Sequence, residues 1–224
     1  QVSIFRSLKN INADTFIRHG AAISIINKTS EISTIESFAE HVSVLRPFGF
    51  RGYFVNNEKF RSSNEGLLDP IICYGKGKKI GYIERSEVLV KQEWINNYKV
   101  FTPRANNIGT ELNDDNLNTF IGVPGTVCTE SYIVLGADLN LDKKSANNLS
   151  LYFTTKFVRF LHSLAKASQD ATSKTYKFVP LQNFTKSSDI DWSKPIQEID
   201  QQLYAKYGLT DEEVAFIERM IKPM

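Results

Sequence analysis

Residues 145–169 read SANNLSLYFTTKFVRFLHSLAKASQ, and the fold is decided by how this stretch is understood. Leu149, Phe153, Phe157, Phe160, Leu161 and Leu164 recur at three- and four-residue steps, which lines them along one face of a helix. Lys156, Arg159, Ser163 and Lys166 follow the same spacing on another face. Asp142 is placed to cap the start, and no Pro or Gly interrupts the run, so the spacing predicts one long helix over residues 143–168. Burying the three Phe rings is worth roughly 1.5–3 kcal/mol each, which calls for a sizeable sheet opposite. The basic face is either solvated or tracks a phosphate backbone, and the pattern leaves both open.

Working outward, residues 70–74 and 79–84 alternate as strands around Gly75-Lys76-Gly77-Lys78, a hairpin in which Gly supplies the positive φ of the turn. Lys76, Lys78 and Lys79 at its tip read either as a solvated, charged edge or as a finger toward phosphate. Further strands are predicted at 98–102, 120–123, 126–129, 131–135 and 175–180, with a Pro124-Gly125 turn of the type II kind between two of them. Residues 14–26 and 34–45 have helical spacing behind Asp14 and Thr34. Ser86 is placed to cap a short helix. Near the C-terminus, Ser193 and Pro195 open one helix that Gly208 ends, and Thr210-Asp211-Glu212-Glu213 is a capping box for another. The expected fold class is α+β: a curved mixed or antiparallel sheet packed on one long helix, with helical segments at both ends. Residues 1–184 would form the main domain, and residues 185–224, beginning with the polar stretch 185–189, a C-terminal helical appendage.

Composition narrows function. Lys and Arg number 27 against 25 Asp and Glu, a net charge of +2, so any polyanion must be met by a local patch. Two cysteines, Cys73 and Cys128, and three scattered His with no CxxC spacing argue for buried thiols in a reducing cytoplasm and against a zinc site. No stretch has the length of a transmembrane span. There is no P-loop, dinucleotide fingerprint or nucleophilic triad spacing. Phe50-Arg51-Gly52-Tyr53-Phe54 begins like the FxGxG loop that binds S-adenosylmethionine but ends in Phe54 where the second Gly belongs. Asp142-Lys143-Lys144 mimics half of a metal-dependent nuclease site without its partner acid. The segment is therefore expected to be non-catalytic, with no cofactor or metal of its own. It opens in mid-pattern with QVSIF and reads as a piece of a longer chain.

Two loops carry side chains suited to ligands. Residues 46–54, RPFGFRGYF, are pinned by their Phe residues or offer Arg51 and Tyr53 to a partner. Residues 103–109, PRANNIG, supply Arg104, Asn106 and Asn107, and Arg and Asn are the residues that read guanine and adenine by paired hydrogen bonds.

GVPGTVCTESYIVLG at 122–136, LYFTTKFVRFLHSLAKASQDATSKTYKFVPLQNF at 151–184 and LYAKYGLTDEEVAFIERMIKPM at 203–224 resemble the C-terminal part of adenine-specific DNA methyltransferases of restriction–modification systems, of a type IIG-like kind. PFGFRGYF and YKVFTPRA resemble segments upstream in the same proteins. The likeness runs over residues 34–224. It implies a target recognition domain that chooses the sequence of double-stranded DNA, with the catalytic domain and its S-adenosylmethionine lying ahead of Gln1. It leaves open whether the whole protein also cleaves DNA. On this resemblance the candidate DNA contacts are Arg51, Tyr53, Lys76, Lys78, Lys79, Arg104, Asn106, Asn107, Lys156, Arg159, Gln169 and Lys174. The long helix would use its basic residues either on DNA or to pack domains. The alternative is a docking module that links the methyltransferase to a nuclease or other subunit.

Overall fold

The predicted long helix is two helices. In the computed structural model, which describes residues 20–31, 36–105, 119–166 and 170–222, α2 runs Lys143–Thr154 and α3 runs Lys156–Ala165. Between them Thr155 is extended, with φ −65° and ψ 148°. Ending one helix and starting another leaves orphan N–H groups that must be met. Thr155 Oγ1 accepts from Val158 N–H at 3.3 Å and donates to Tyr152 O at 2.6 Å. The Asp200 carboxylate, from a helix far along the chain, accepts from Lys156 N–H at 3.0 Å and Phe157 N–H at 2.9 Å. The break has a local cause, since a Thr hydroxyl competes for backbone groups, and a distant one in Asp200. Asp142 caps α2 as expected, accepting from Ser145 N–H at 2.7 Å.

The α+β class stands, with two small sheets in place of one. β1 (Pro70–Tyr74) lies between antiparallel β2 (Ile80–Glu84) and parallel β5 (Thr126–Cys128). β3 (Lys99–Pro103) lies between β4 (Phe120–Gly122) and β6 (Tyr132–Leu135), both antiparallel to it. Strand alternation sorts the core into two clusters. Val100, Ile133 and Leu135 join Phe153 and Phe157 on the helical side. Phe101 and Val134, the intervening residues, join Ile71, Cys73, Ile83 and Val127 on the other. The β4-β3-β6 sheet is thus covered on both faces, by helices and by the β2-β1-β5 sheet. That explains why β3 is buried from Lys99 to Thr102.

Lys99 is fully buried on the Phe101 side, where its Nζ donates to the carbonyls of Trp94, Ile95 and Asn97 at 3.0–3.2 Å. Desolvation lowers its pKa to about 7. Cys73 and Cys128 are buried free thiols, and burial pushes Cys73 up to about 12.

Three predicted elements differ from expectation, and a fourth is described only in part. α1 is described over Gly20–Glu31, and the earlier part of the predicted 14–26 helix lies outside the described residues. Of the helix predicted over 34–45, the first two residues lie outside the described residues, and the described remainder forms a 3-10 turn at Phe38–His41, capped by Ser37. Ser86 likewise sits in a single 3-10 turn, Arg85–Glu87. The strand predicted at 175–180 is a 3-10 turn, Ser173–Tyr176, followed by a single bridge between Pro180 and Ser37.

α4 (Ile196–Lys206) and α5 (Asp211–Met220) form where expected, although Pro195 is the residue before α4 and not in its first turn. Thr210 and Glu213 make the reciprocal capping box, and Gly208 takes φ 58° after α4. Both helices enter the core of α2 and α3. Ile199, Leu203, Tyr204, Tyr207, Ile217 and Ile221 belong to that cluster, as do Ile190 and Trp192 just after the polar stretch. The Tyr207 ring stacks on Phe157 with centroids 5.1 Å apart. A boundary after residue 184 therefore runs through one core. Among the described residues no helix is long and apolar enough to cross a membrane.

Candidate nucleic-acid interface

The loop at 46–54 is fixed from below by Phe48 and Phe50, both buried, with the Phe50 and Phe54 rings stacked at 4.3 Å. Arg46 takes φ 61° and Gly49 φ 88°, which turns the chain twice within four residues. Glu130 holds the turned loop. Its Oε1 accepts from Gly52 N–H at 2.9 Å, its Oε2 accepts from Arg46 Nε at 2.9 Å, and its own N–H donates to Phe50 O at 2.9 Å. The Gly52 N–H, ahead of the Arg46 guanidinium, holds the Glu130 carboxyl below its ordinary pKa. With the loop so fixed, Arg51 and Tyr53 project outward, and Tyr53 is 70% exposed.

The β1–β2 hairpin stands against this loop. Its tip is a 3-10 turn with Gly77 at φ 71° and Lys78 at φ 61°, closed by Gly75 N–H to Lys79 O at 2.8 Å. Gly75 backs directly onto the 52–56 turn, where a Cβ would sit 2.1 Å from Val55 Cγ1. A Cβ on Gly52 would in turn lie 3.8 Å from Lys76 Cδ. The stem of Lys76 therefore runs over Gly52, the residue between Arg51 and Tyr53 in the chain. Lys76, Lys78 and Lys79 are exposed, and among the described residues no acid forms an ion pair with them.

Arg104 joins from a third direction. Its N–H donates to Ser131 O at 3.0 Å, one residue past Glu130, and its own carbonyl accepts from Ala171 N–H at 2.8 Å. The guanidinium Nε lies 3.6 Å from Asp170 Oδ1, a partly exposed pair. Lys174 is exposed and lines one groove with Arg104. Asn106, Asn107 and Gln169 lie outside the described residues.

Two expected contacts are placed elsewhere. Lys156 Nζ pairs with Glu218 of α5. Arg159 is 1% exposed, and its Nη1 donates to Lys222 O at 2.9 Å. Burial removes Arg159 from any surface contact, and both residues tie α3 to the C-terminal end. Of the two uses open to the helix's basic residues, packing is the one found for this pair.

Arg46 and Glu130 were not legible as site residues. Glu130 reads as an isolated acid after β5, and its partners at 46 and 52 are some eighty positions back. No protein-family model matches the chain, and no curated protein matches it significantly.

Proposed function

We propose that this chain recognises double-stranded DNA as the target recognition domain of an adenine-N6 methyltransferase of a restriction–modification system. The observation that carries the reading is that Glu130 holds the loop bearing Arg51 and Tyr53, that Lys76 of the hairpin tip runs over Gly52 of that loop, and that Arg104 is bonded to Ser131 beside it, three stretches distant in sequence. A chain of net charge +2 can hold a polyanion only through such a patch. Lysines at a hairpin tip would set register on the phosphates, and Arg104 is the member suited to a base edge. Methyl transfer, S-adenosylmethionine and any DNA cleavage belong in this reading to other parts of the parent protein, and a cytoplasmic location goes with it. Leu68 and Leu89, exposed by 97% and 82%, favour the docking-module alternative, although isolated apolar residues are common on surfaces.

A duplex titration over a range of salt separates the two. Each phosphate neutralised by a cation contributes about 0.9 to the slope of log K against log salt, so Lys76, Lys78 and Lys79 together replaced by Ala should flatten it by about 2–3. Affinity for all duplexes should fall alike. Substituting Arg104 in the full-length parent should change which sequences are methylated. Unchanged binding by the triple variant would leave the hairpin a solvated edge, and salt-independent association with a protein partner would favour docking.

A further inference from the structure

Beside the basic face lies a groove of about 400 Å³ between residues 43–45 and 170–174, with Ile133 of β6 also in its lining. Resting on the DNA-binding reading above, we infer that this groove takes one unstacked nucleotide of the bound DNA. Its apolar part is formed by Val44, Leu45, Ile133 and Ala171. Ile133 and Ala171 are buried, whereas Val44 and Leu45 are 68% and 48% exposed, an open apolar lip beside charge. Its polar part is formed by Arg104 and Lys174, with the Asp170 carboxylate and the Thr172 and Ser173 side chains adjoining.

A ligand matched to both parts joins a flat apolar body to an anion, which is the chemistry of a nucleotide. The volume is that of a small-ligand cleft, roughly 300–1,000 Å³. Bases taken out of a duplex are gripped between apolar side chains and read at their polar edge, and cations meet the backbone they hang from. Arg104 belongs to groove and basic face at once, so a nucleotide leaving the stack at the face lies next to the groove. The partly exposed Arg104–Asp170 pair is weak enough to exchange its partner for a phosphate.

The groove is rigidly framed. Ser43 N–H donates to Val134 O at 2.9 Å and its Oγ accepts from Val134 N–H at 2.9 Å. On the other side Ala105 and Asp170 form a bridge.

The test compares the 224-residue chain on a duplex carrying one bulged 2-aminopurine nucleotide with the fully paired duplex, at equal salt. The bulged duplex should bind about tenfold more tightly, the scale of one base's stacking, and its fluorophore should become shielded from acrylamide. Leu45→Asn keeps the charge and interrupts the apolar lip that Leu45 forms with Val44. It should abolish preference and shielding while paired-duplex affinity stays within about twofold, and a matching thermal melt confirms its fold. Lys174→Ala, at an exposed position, should reduce the preference. Equal binding of both duplexes, or a preference that survives Leu45→Asn, overturns the inference and leaves the DNA reading intact. Saturation by adenosine monophosphate alone without preference for the bulge would make the groove a free-nucleotide site and also overturn it. Binding of neither duplex overturns the DNA reading and this inference together.

Discussion

Glu130 and Asp200 each receive two donors on one carboxylate, yet their surroundings move them in opposite directions. Asp200 is 2% exposed, and desolvation outweighs the N–H groups of Phe157 and Lys156, raising its pKa to about 6. Glu130 keeps contact with solvent, and the Gly52 N–H and Arg46 hold it below its ordinary value of 4.5. The pH dependences follow. Between the ordinary 3.8 and about 6 the folded chain keeps a proton on Asp200 that the unfolded chain has released, so this group's contribution to stability grows as pH falls from about 6 toward 4. Glu130 contributes stability above 4.5 and loses it as pH falls through its folded value. Urea unfolding of Asp200→Asn and Glu130→Gln from pH 7 to 3.5 tests both. The gap between wild type and Asp200→Asn should widen on acidification, and the gap for Glu130→Gln should close below pH 4.5. The second variant should also loosen the 46–54 loop and weaken duplex binding at neutral pH. Neither carboxylate was legible as a structural anchor, because the partners of each lie tens of residues away.

At the scale of elements, what could be read was what neighbours in sequence decide. The hairpin at 70–84 follows from Gly75 and Gly77, and the start of α5 from Thr210 and Glu213 three residues apart. The apolar face of Leu149, Phe153, Phe157, Phe160, Leu161 and Leu164 was legible too, and all of these but Leu164, which is partly buried, are buried. The break at Thr155 was not, because heptad-like spacing continues across it and the second cap comes from Asp200. The same holds for residues 36–45, where helical spacing yields to pairing of Ser43 with Val134. Two substitutions test the break. Asp200→Ala strands the Lys156 and Phe157 N–H groups and should cost about 2–3 kcal/mol. Phe157→Ala removes a fully buried ring stacked on Tyr207 and should cost about 3–5 kcal/mol. Both are read as shifts of the denaturant midpoint. An unchanged midpoint for Phe157→Ala would mean that α3 presents a different face to the core.

For the whole molecule, the central division separates an exposed basic face, built on loops around the β2-β1-β5 sheet, from a helical body that carries the largest apolar cluster. The basic residues of α3 belong to the body. Lys156 and Arg159 meet α5 and the chain beyond it, so their charge serves cohesion and not the face. That assignment makes the C-terminal helices part of the domain. A chain ending at residue 184 loses Trp192, Ile199, Leu203, Tyr204, Tyr207, Ile217 and Ile221 from the cluster. It also loses the Asp200 cap of α3, the Lys222 carbonyl on buried Arg159 and the Lys28–Glu213 pair at 2.7 Å that holds α1 to α5. Leaving Phe157 and Tyr152 facing water, with the Lys222 carbonyl gone from Arg159, exceeds what a domain of typical stability of about 5–15 kcal/mol can absorb. Truncation after residue 184 should therefore abolish the cooperative thermal transition seen by circular dichroism for the full chain and leave an aggregation-prone, dye-binding state. A cooperative melt of the shortened chain within a few degrees of the full one would make the terminal pair an appendage after all, and would return Lys156 to the surface as a candidate for the DNA.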